Sequence, residues 1–324
     1  MTDPATLYES VRAEASTVLI GNAEPLERLT ISLLTGGHVL LEGVPGIAKT
    51  TLANVFARTT GLDFRRIQMT PDILPADITG TYVYREQMGE FELRKGPVFA
   101  NVVVADEINR ATPKAQSALL EAMQERRVTV EGDTLELPDP FLVVATQNPI
   151  EMEGTFELPE AQRDRFQFKL TIDLPEREQE RQLFDRFNDR PDLDAETVER
   201  VTTPDEISEA REAVSEVYVA EKLREYVLDI VAATRDAPLV QHGASPRATL
   251  AFLNAGKARA AIRGRNYVIP DDVKALAPAI LRHRLILSAD ATLSDVSADE
   301  IIEDILDDVT PPGADELSPA PADD

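Results

Sequence analysis

Residues 38–61, "HVLLEGVPGIAKTTLANVFARTTG", constrain the fold of this chain more than any other stretch. An apolar run ends at a glycine-containing turn, and Lys49-Thr50-Thr51 then open a segment with apolar residues at helical spacing. Strand, tight loop and helix in that order are the context of a phosphate-binding loop. In such a loop the backbone N–H groups and the positive end of the helix surround the β- and γ-phosphates, and Lys49 reaches their oxygens. The Thr50 hydroxyl is then placed to ligate Mg²⁺. The candidate loop comprises Gly43, Val44, Pro45, Gly46, Ile47, Ala48, Lys49, Thr50 and Thr51. Many loops of this kind carry glycine immediately before the lysine, whereas here that residue is Ala48. A negative φ at Ala48, with its methyl turned away from the phosphates, is the expected accommodation. The strict requirement for glycine then falls on Gly43 and Gly46.

Strand-sized apolar runs recur through residue 175, at "HVLLE", "FRRIQM", "VFANVVVAD", "PFLVVATQ" and "FQFKLTID", with helical segments between them. This rhythm predicts a parallel sheet covered by helices on both faces over residues 1–175. Residues 176–308 carry apolar residues at helical spacing throughout and predict a helical domain, entered near Pro175 and Pro191, with one helix starting at Pro270-Asp271. Residues 309–324 are Pro-rich and acidic, the composition of a disordered tail. Within the first region, residues 80–96 and 126–139 alternate polar and apolar residues around Gln87-Met88-Gly89 and Glu131-Gly132-Asp133. Each segment predicts a β-hairpin, either an ordinary sheet edge or a projection that touches a partner.

"NVVVADEINR" places Asp106 and Glu107 at the C-terminal end of a strongly apolar run, where ligands gather in an open α/β sheet. An adjacent carboxylate pair is usually a solvated strand end. Here it follows the phosphate loop in the right order, so Asp106 is a candidate to hold Mg²⁺ through a water and Glu107 the candidate base that polarises the attacking water. Another run, "FLVVATQNP", ends at Asn148, which could bond both the γ-phosphate and that water, although Asn-Pro is also a routine turn signal. In "LPEAQRDRFQF", Arg165 precedes an apolar run and is a candidate for stabilising transition-state charge, with Arg163 as its rival. "GASPRATLAF" opens a helix with Arg247 in its first turn. A cation there opposes the helix dipole and so should meet an anion or an acid.

The 58 acidic and 33 basic residues give a formal charge of −25, which argues against a nucleic-acid partner. Most of the basic residues are arginine, and acid is spread along the whole chain, as expected of a protein kept hydrated in concentrated salt; a salt-accumulating (halophilic) host is the expectation. There is no cysteine, and His38, His242 and His283 lack metal-ligand spacing. Neither a basic leader nor a membrane-length apolar run is visible, so a cytoplasmic protein is expected.

"LLEGVPGIAKT", "GPVFANVVVADEINRATPKAQSALLEAMQE" and "ATQNPIEMEGTFELPEAQRDRF" resemble, in order, the MoxR family of AAA+ ATPases, and the resemblance runs from about residue 10 to 308. It implies an α/β core with a five-stranded parallel sheet, a C-terminal all-helical lid, a hairpin inserted in the second core helix and another before the sensor strand. It also implies that Gly43 to Thr50 form the Walker A loop, Asp106 and Glu107 the Walker B pair, Asn148 sensor 1, Arg165 the arginine finger and Arg247 sensor 2. Arg163 departs from the pattern, which usually has an apolar residue there, and whether Arg247 acts within its own subunit or on a neighbour stays open. A finger acting in trans implies a ring, most often a hexamer, with ATP between subunits. The activity implied is Mg²⁺-dependent ATP hydrolysis driving chaperone-like remodelling or maturation of client protein complexes, often with partners that carry von Willebrand factor A domains. Two alternatives remain. A magnesium-chelatase-type ATPase subunit shares both hairpins, and a nucleic-acid-acting motor predicts basic hairpin tips where "EQMGE" and "VEGDT" are acidic or neutral.

Overall fold

A computed structural model describes residues 2–87, 89–149 and 154–313. Met88 of the first expected turn and residues 314–324 of the expected tail lie outside the described residues, as do Met1 and residues 150–153. Helices α1 (Pro4–Ala15) and α2 (Ala23–Thr35) precede strand β1 (Val39–Glu42), the glycine loop and helix α3 (Lys49–Thr59). Strand β2 (Phe64–Gln68) leads through a short α4 (Pro75–Thr79) into the hairpin of β3 (Gly80–Arg85) and β4 (Glu90–Lys95). Next come β5 (Val102–Asp106), α5 (Pro113–Glu125), the hairpin of β6 (Arg127–Val130) and β7 (Asp133–Glu136), β8 (Leu142–Gln147), α6 (Glu160–Arg163) and β9 (Phe168–Thr171). The remainder is α7 (Arg177–Asp189), α8 (Pro204–Ser215), α9 (Glu221–Asp236), β10 (Val240–His242), α10 (Pro246–Ile262), α11 (Pro270–Leu281), β11 (Ile286–Leu287), α12 (Ala289–Leu293) and α13 (Ala298–Asp308).

All five apolar runs enter one parallel sheet, in the order β2-β5-β8-β1-β9. The interior strands β5 and β8 are buried along almost their whole length, whereas in the edge strand β2 only Ile67 is buried. Because side chains alternate across a sheet, the interior strands β1, β5 and β8 feed two cores. Val39, Leu41, Val102, Val104 and Val144 pack with Leu7, Leu29, Leu52 and Phe56 of α1 to α3, in a cluster that continues into α8 to α11 and α13. Leu40, Val103, Ala105, Val143 and Ala145 face the opposite cluster with Ile78 of α4, Leu119 and Met123 of α5 and Val128 of the second hairpin. Helix starts follow local chemistry. Asp3 accepts from the Ala5 and Thr6 N–H groups, and Thr203 with Glu206 and Ser297 with Glu300 form reciprocal capping boxes.

The C-terminal part is helical apart from the short antiparallel pair β10–β11. The second hairpin turns on two residues, Glu131 and Gly132, with φ of 50° and 105°, and Asp133 already pairs with Val130. A two-residue turn of that hand matches strand twist, so Asp133 belongs to the strand and not, as the sequence suggested, to the turn. A buried ion network ties α2 to α10 and α11: Glu27 accepts from Arg28 at 2.8 Å and Arg259 at 3.0 Å, and Arg259 and Arg265 each reach Asp272 at 2.7 Å. Removing one member would strand a buried charge.

His38 is a packed residue: its Nδ1 accepts from the Val143 N–H at 3.0 Å, and burial, with Arg126 nearby, pushes its pKa down to about 3. Among the described residues no His, Cys, Asp and Glu cluster of three could hold a metal ion, and no helix is long and apolar enough to cross a membrane.

Candidate active site

The glycine loop leaves the C-terminal end of β1 and closes onto α3. A Cβ on Gly43 would lie 2.4 Å from Ile47 Cδ1 and 2.5 Å from the Ile172 carbonyl oxygen, so close approach excludes a side chain there. Gly46 has φ +85°, a left-handed conformation that glycine adopts without penalty. Ala48 contradicts the expected negative φ: it has φ +61° and ψ +26°. The chain enters α3 through a left-handed residue, which explains why glycine is common there, and the alanine methyl costs roughly 1 kcal/mol. Ala48→Gly is therefore expected to raise Tm by about 1 °C, since glycine's greater freedom in the unfolded chain offsets part of the gain. Differential scanning calorimetry checks this, and a lowered Tm would count against the left-handed assignment.

Lys49 Nζ donates to the carbonyls of Gly43 at 2.6 Å and Val44 at 2.9 Å. Partial burial lowers its pKa below the ordinary amine value, opposed by the nearby charges of Asp106 and Glu107. Strand β5 delivers Asp106 to the mouth of the loop, with Oδ2 3.4 Å from the Thr50 hydroxyl. Oδ1 accepts from the buried Thr146 hydroxyl at 2.6 Å, and the Thr146 oxygen in turn accepts from the Glu107 N–H at 2.9 Å. Glu107 itself is left-handed, with φ 57° and ψ 54°, a conformation that non-glycine residues hold only when their surroundings enforce it. Its Oε2 accepts from Gln68 Nε2 and from Arg110 Nη1, each at 3.2 Å. Arg66 donates from Nε to Asp106 Oδ2 at 2.9 Å.

A cavity of about 460 Å³ is lined by Pro45 to Thr51, Arg66, Gln68, Asp106, Glu107, Thr146, Gln147 and Asn148. A second of about 460 Å³ adjoins it between Val18 to Asn22, Gly46 to Ala48 and Thr171 to Glu176. The first cavity brings together the loop, both acids and Asn148, which is buried directly after β8. It also includes four residues the motifs did not single out, Arg66, Gln68, Thr146 and Gln147. Thr146, a hydroxyl within an apolar run, and Arg66 and Gln68, two apart on an edge strand and hence on one face, were the available signals.

The cavity does not include Arg163, Arg165 or Arg247. Arg165 donates to the Leu120 carbonyl at 2.8 Å and precedes β9, whose first residue, Phe168, pairs with Val39 at the start of β1. The glycine loop leaves β1 from the other end, a strand length of roughly 13 Å away. Arg163 ends α6 on the same approach to β9. The acid expected near Arg247 is Asp164, whose Oδ2 lies 4.0 Å from Arg247 Nε. Asp164 also accepts from Ser245 Oγ at 2.7 Å and from the buried Arg284 Nε at 2.8 Å, which staples α10 and the end of α11 to the β9 approach. The three arginines thus gather at the N-terminal end of the sheet.

Residues 38–168 match the ATPase family associated with various cellular activities (AAA), and residues 232–305 match the AAA lid domain. The chain is 45% identical over 308 residues to Chaperone MoxR1 of Mycobacterium tuberculosis, covering 92% of this chain and 81% of that protein. It is 44% identical over 303 residues to YeaC of Bacillus subtilis, covering 91% and 92% of the two. A crystal structure of a Cytophaga hutchinsonii protein has a TM-score of 0.89 and 42% identity, with 96% of each chain covered.

Proposed function

This chain belongs to the MoxR family of AAA ATPases, and from that premise we propose that it hydrolyses Mg²⁺-bound ATP between the phosphate loop and Asp106-Glu107. The observation that carries this is the convergence of Lys49, Thr50, Asp106, Glu107 and Asn148 on one cavity. Lys49 and the loop N–H groups bind the phosphates, Glu107 accepts the proton of the attacking water, and Asn148 orients that water. Thr50 Oγ1 and Asp106 Oδ2, two hard oxygens 3.4 Å apart, suit Mg²⁺, which supplies charge neutralisation at the phosphate oxygens when bound. The adjoining cavity has the size and mixed lining to take the nucleoside.

Arg165 and Arg247 do not line their own chain's cavity, and this supports a ring, which we take to have six subunits, in which both act on a neighbour's nucleotide, with Arg163 as the rival finger. We assign residues 1–175 to the ATPase core with its inserted hairpins, 176–308 to the lid and 309–324 to a tail. Hydrolysis would move lid against core across the Asp164 staple and so remodel a client protein complex, one that includes a von Willebrand factor A domain partner. The hairpins support a client surface. They brace each other through Thr81 with Glu131 at 3.0 Å and Tyr82 with Asp133 at 2.5 Å, and the first leaves Val83, Tyr84 and Phe91 exposed. The acidic excess fits a cytoplasm rich in salt.

Sedimentation and phosphate release with ATP, with and without Mg²⁺, test the proposal. The expected result is a ring-sized particle and Mg²⁺-dependent release. Full-rate hydrolysis by a monomer would rule out the ring, and metal-independent turnover the assigned role of Thr50 and Asp106.

A further inference from the structure

The two oxygens of Asp106 are not equivalent. Oδ1 is held by the Thr146 hydroxyl at 2.6 Å, which leaves Oδ2 turned toward Thr50 and the phosphate loop. Arg66 takes that oxygen with both Nε at 2.9 Å and Nη2 at 2.5 Å. The same Nη2 donates to Gln68 Oε1 at 2.8 Å, and Gln68 Nε2 donates onward to Glu107 Oε2 at 3.2 Å. Arg66 and Gln68 share one face of β2, and Gln68 is in register with Asp106 on β5. One guanidinium therefore orients both acids. Its side chain is 51% exposed, so it has room to move.

Two guanidinium donors already occupy Oδ2, and Mg²⁺, whether it binds that oxygen directly or through one of its waters, needs the same lone pairs and repels the guanidinium, so the two cations are alternatives at that oxygen. We propose that Arg66 is a positioning residue that competes with Mg²⁺ for Asp106 and links occupancy of the metal site to Glu107. Arg66 yields Oδ2 when Mg²⁺ is bound there, Gln68 then loses the donor that fixes its amide, and Glu107 keeps only Arg110 as a firm donor on Oε2 and turns into the cavity more easily. This inference deepens the ATPase reading and rests on it.

The test is a Mg²⁺ titration of fluorescent ADP binding to the full chain, comparing wild type with Arg66→Ala and Arg66→Lys. Arg66→Ala is expected to lower the Mg²⁺ concentration for half-maximal binding about tenfold, and to weaken binding in EDTA by a similar factor because unpaired Asp106 repels the phosphates. A purely structural role would not produce opposite shifts with and without metal. Arg66→Lys keeps a charge on Asp106 but lacks the fork that reaches Gln68, and should return the Mg²⁺ midpoint to near wild type. An unmoved or raised midpoint in Arg66→Ala, or a lysine variant that behaves like alanine, overturns the proposal while nucleotide binding by the wild type leaves the ATPase reading standing. Failure of the wild type to bind nucleotide with Mg²⁺ overturns both.

Discussion

Glu107→Gln is expected to lower kcat for ATP hydrolysis by at least about a hundredfold while ATP affinity stays within about threefold of wild type. The substitution preserves side-chain length and the left-handed backbone, and it leaves the Glu107 N–H donating to Thr146. The donors on Oε2, Gln68 Nε2 and Arg110 Nη1, still meet an acceptor in the glutamine carbonyl. What disappears is the basic carboxylate able to take a proton from the attacking water. Single-turnover phosphate release measured beside equilibrium binding of a fluorescent ATP analogue separates chemistry from affinity. Hydrolysis at the wild-type rate would remove Glu107 from the chemistry, and a collapse of affinity would make it a builder of the site.

The strands of the sheet were legible because each is a short apolar run, a signal carried within a few adjacent residues. The placing of the glycine loop and the Asp106-Glu107 pair at one cavity was legible for a related reason: each sits where a strand ends, and strand ends are marked by the change from apolar to polar. Thr146 and Arg66 were not, since each acts on Asp106 from 40 residues away and only the pairing of β2, β5 and β8 brings them together. Ala48 shows the converse error. The usual preference of L-residues pointed to a negative φ, but the turn from loop to helix demands a left-handed residue and outweighs a local cost of roughly 1 kcal/mol. For Arg247 the helix-dipole argument called for an acid, and the structure supplies Asp164, a partner in a different element that no spacing rule could name.

Arg165→Ala is expected to lower kcat by about a thousandfold with little change in nucleotide affinity, because a finger stabilises charge that develops only in the transition state. Loss of the bond from Arg165 to the Leu120 carbonyl should cost only about 1 kcal/mol, so the fold survives. Arg163→Ala, which alters the neighbouring guanidinium, should have a much smaller effect, and the reverse ranking would transfer the finger to Arg163. The position of Arg165 at the N-terminal end of the sheet also predicts how the defect combines with another. In a ring assembled from equal amounts of Glu107→Gln and Arg165→Ala subunits, a site is complete when the phosphate loop of an Arg165→Ala subunit faces the arginine of a Glu107→Gln subunit. Random mixing makes about a quarter of the interfaces complete, so about a quarter of wild-type activity should return from two inactive proteins. If Arg165 served the nucleotide of its own chain, no mixture would contain a complete site, and activity would stay at the level of the separate variants.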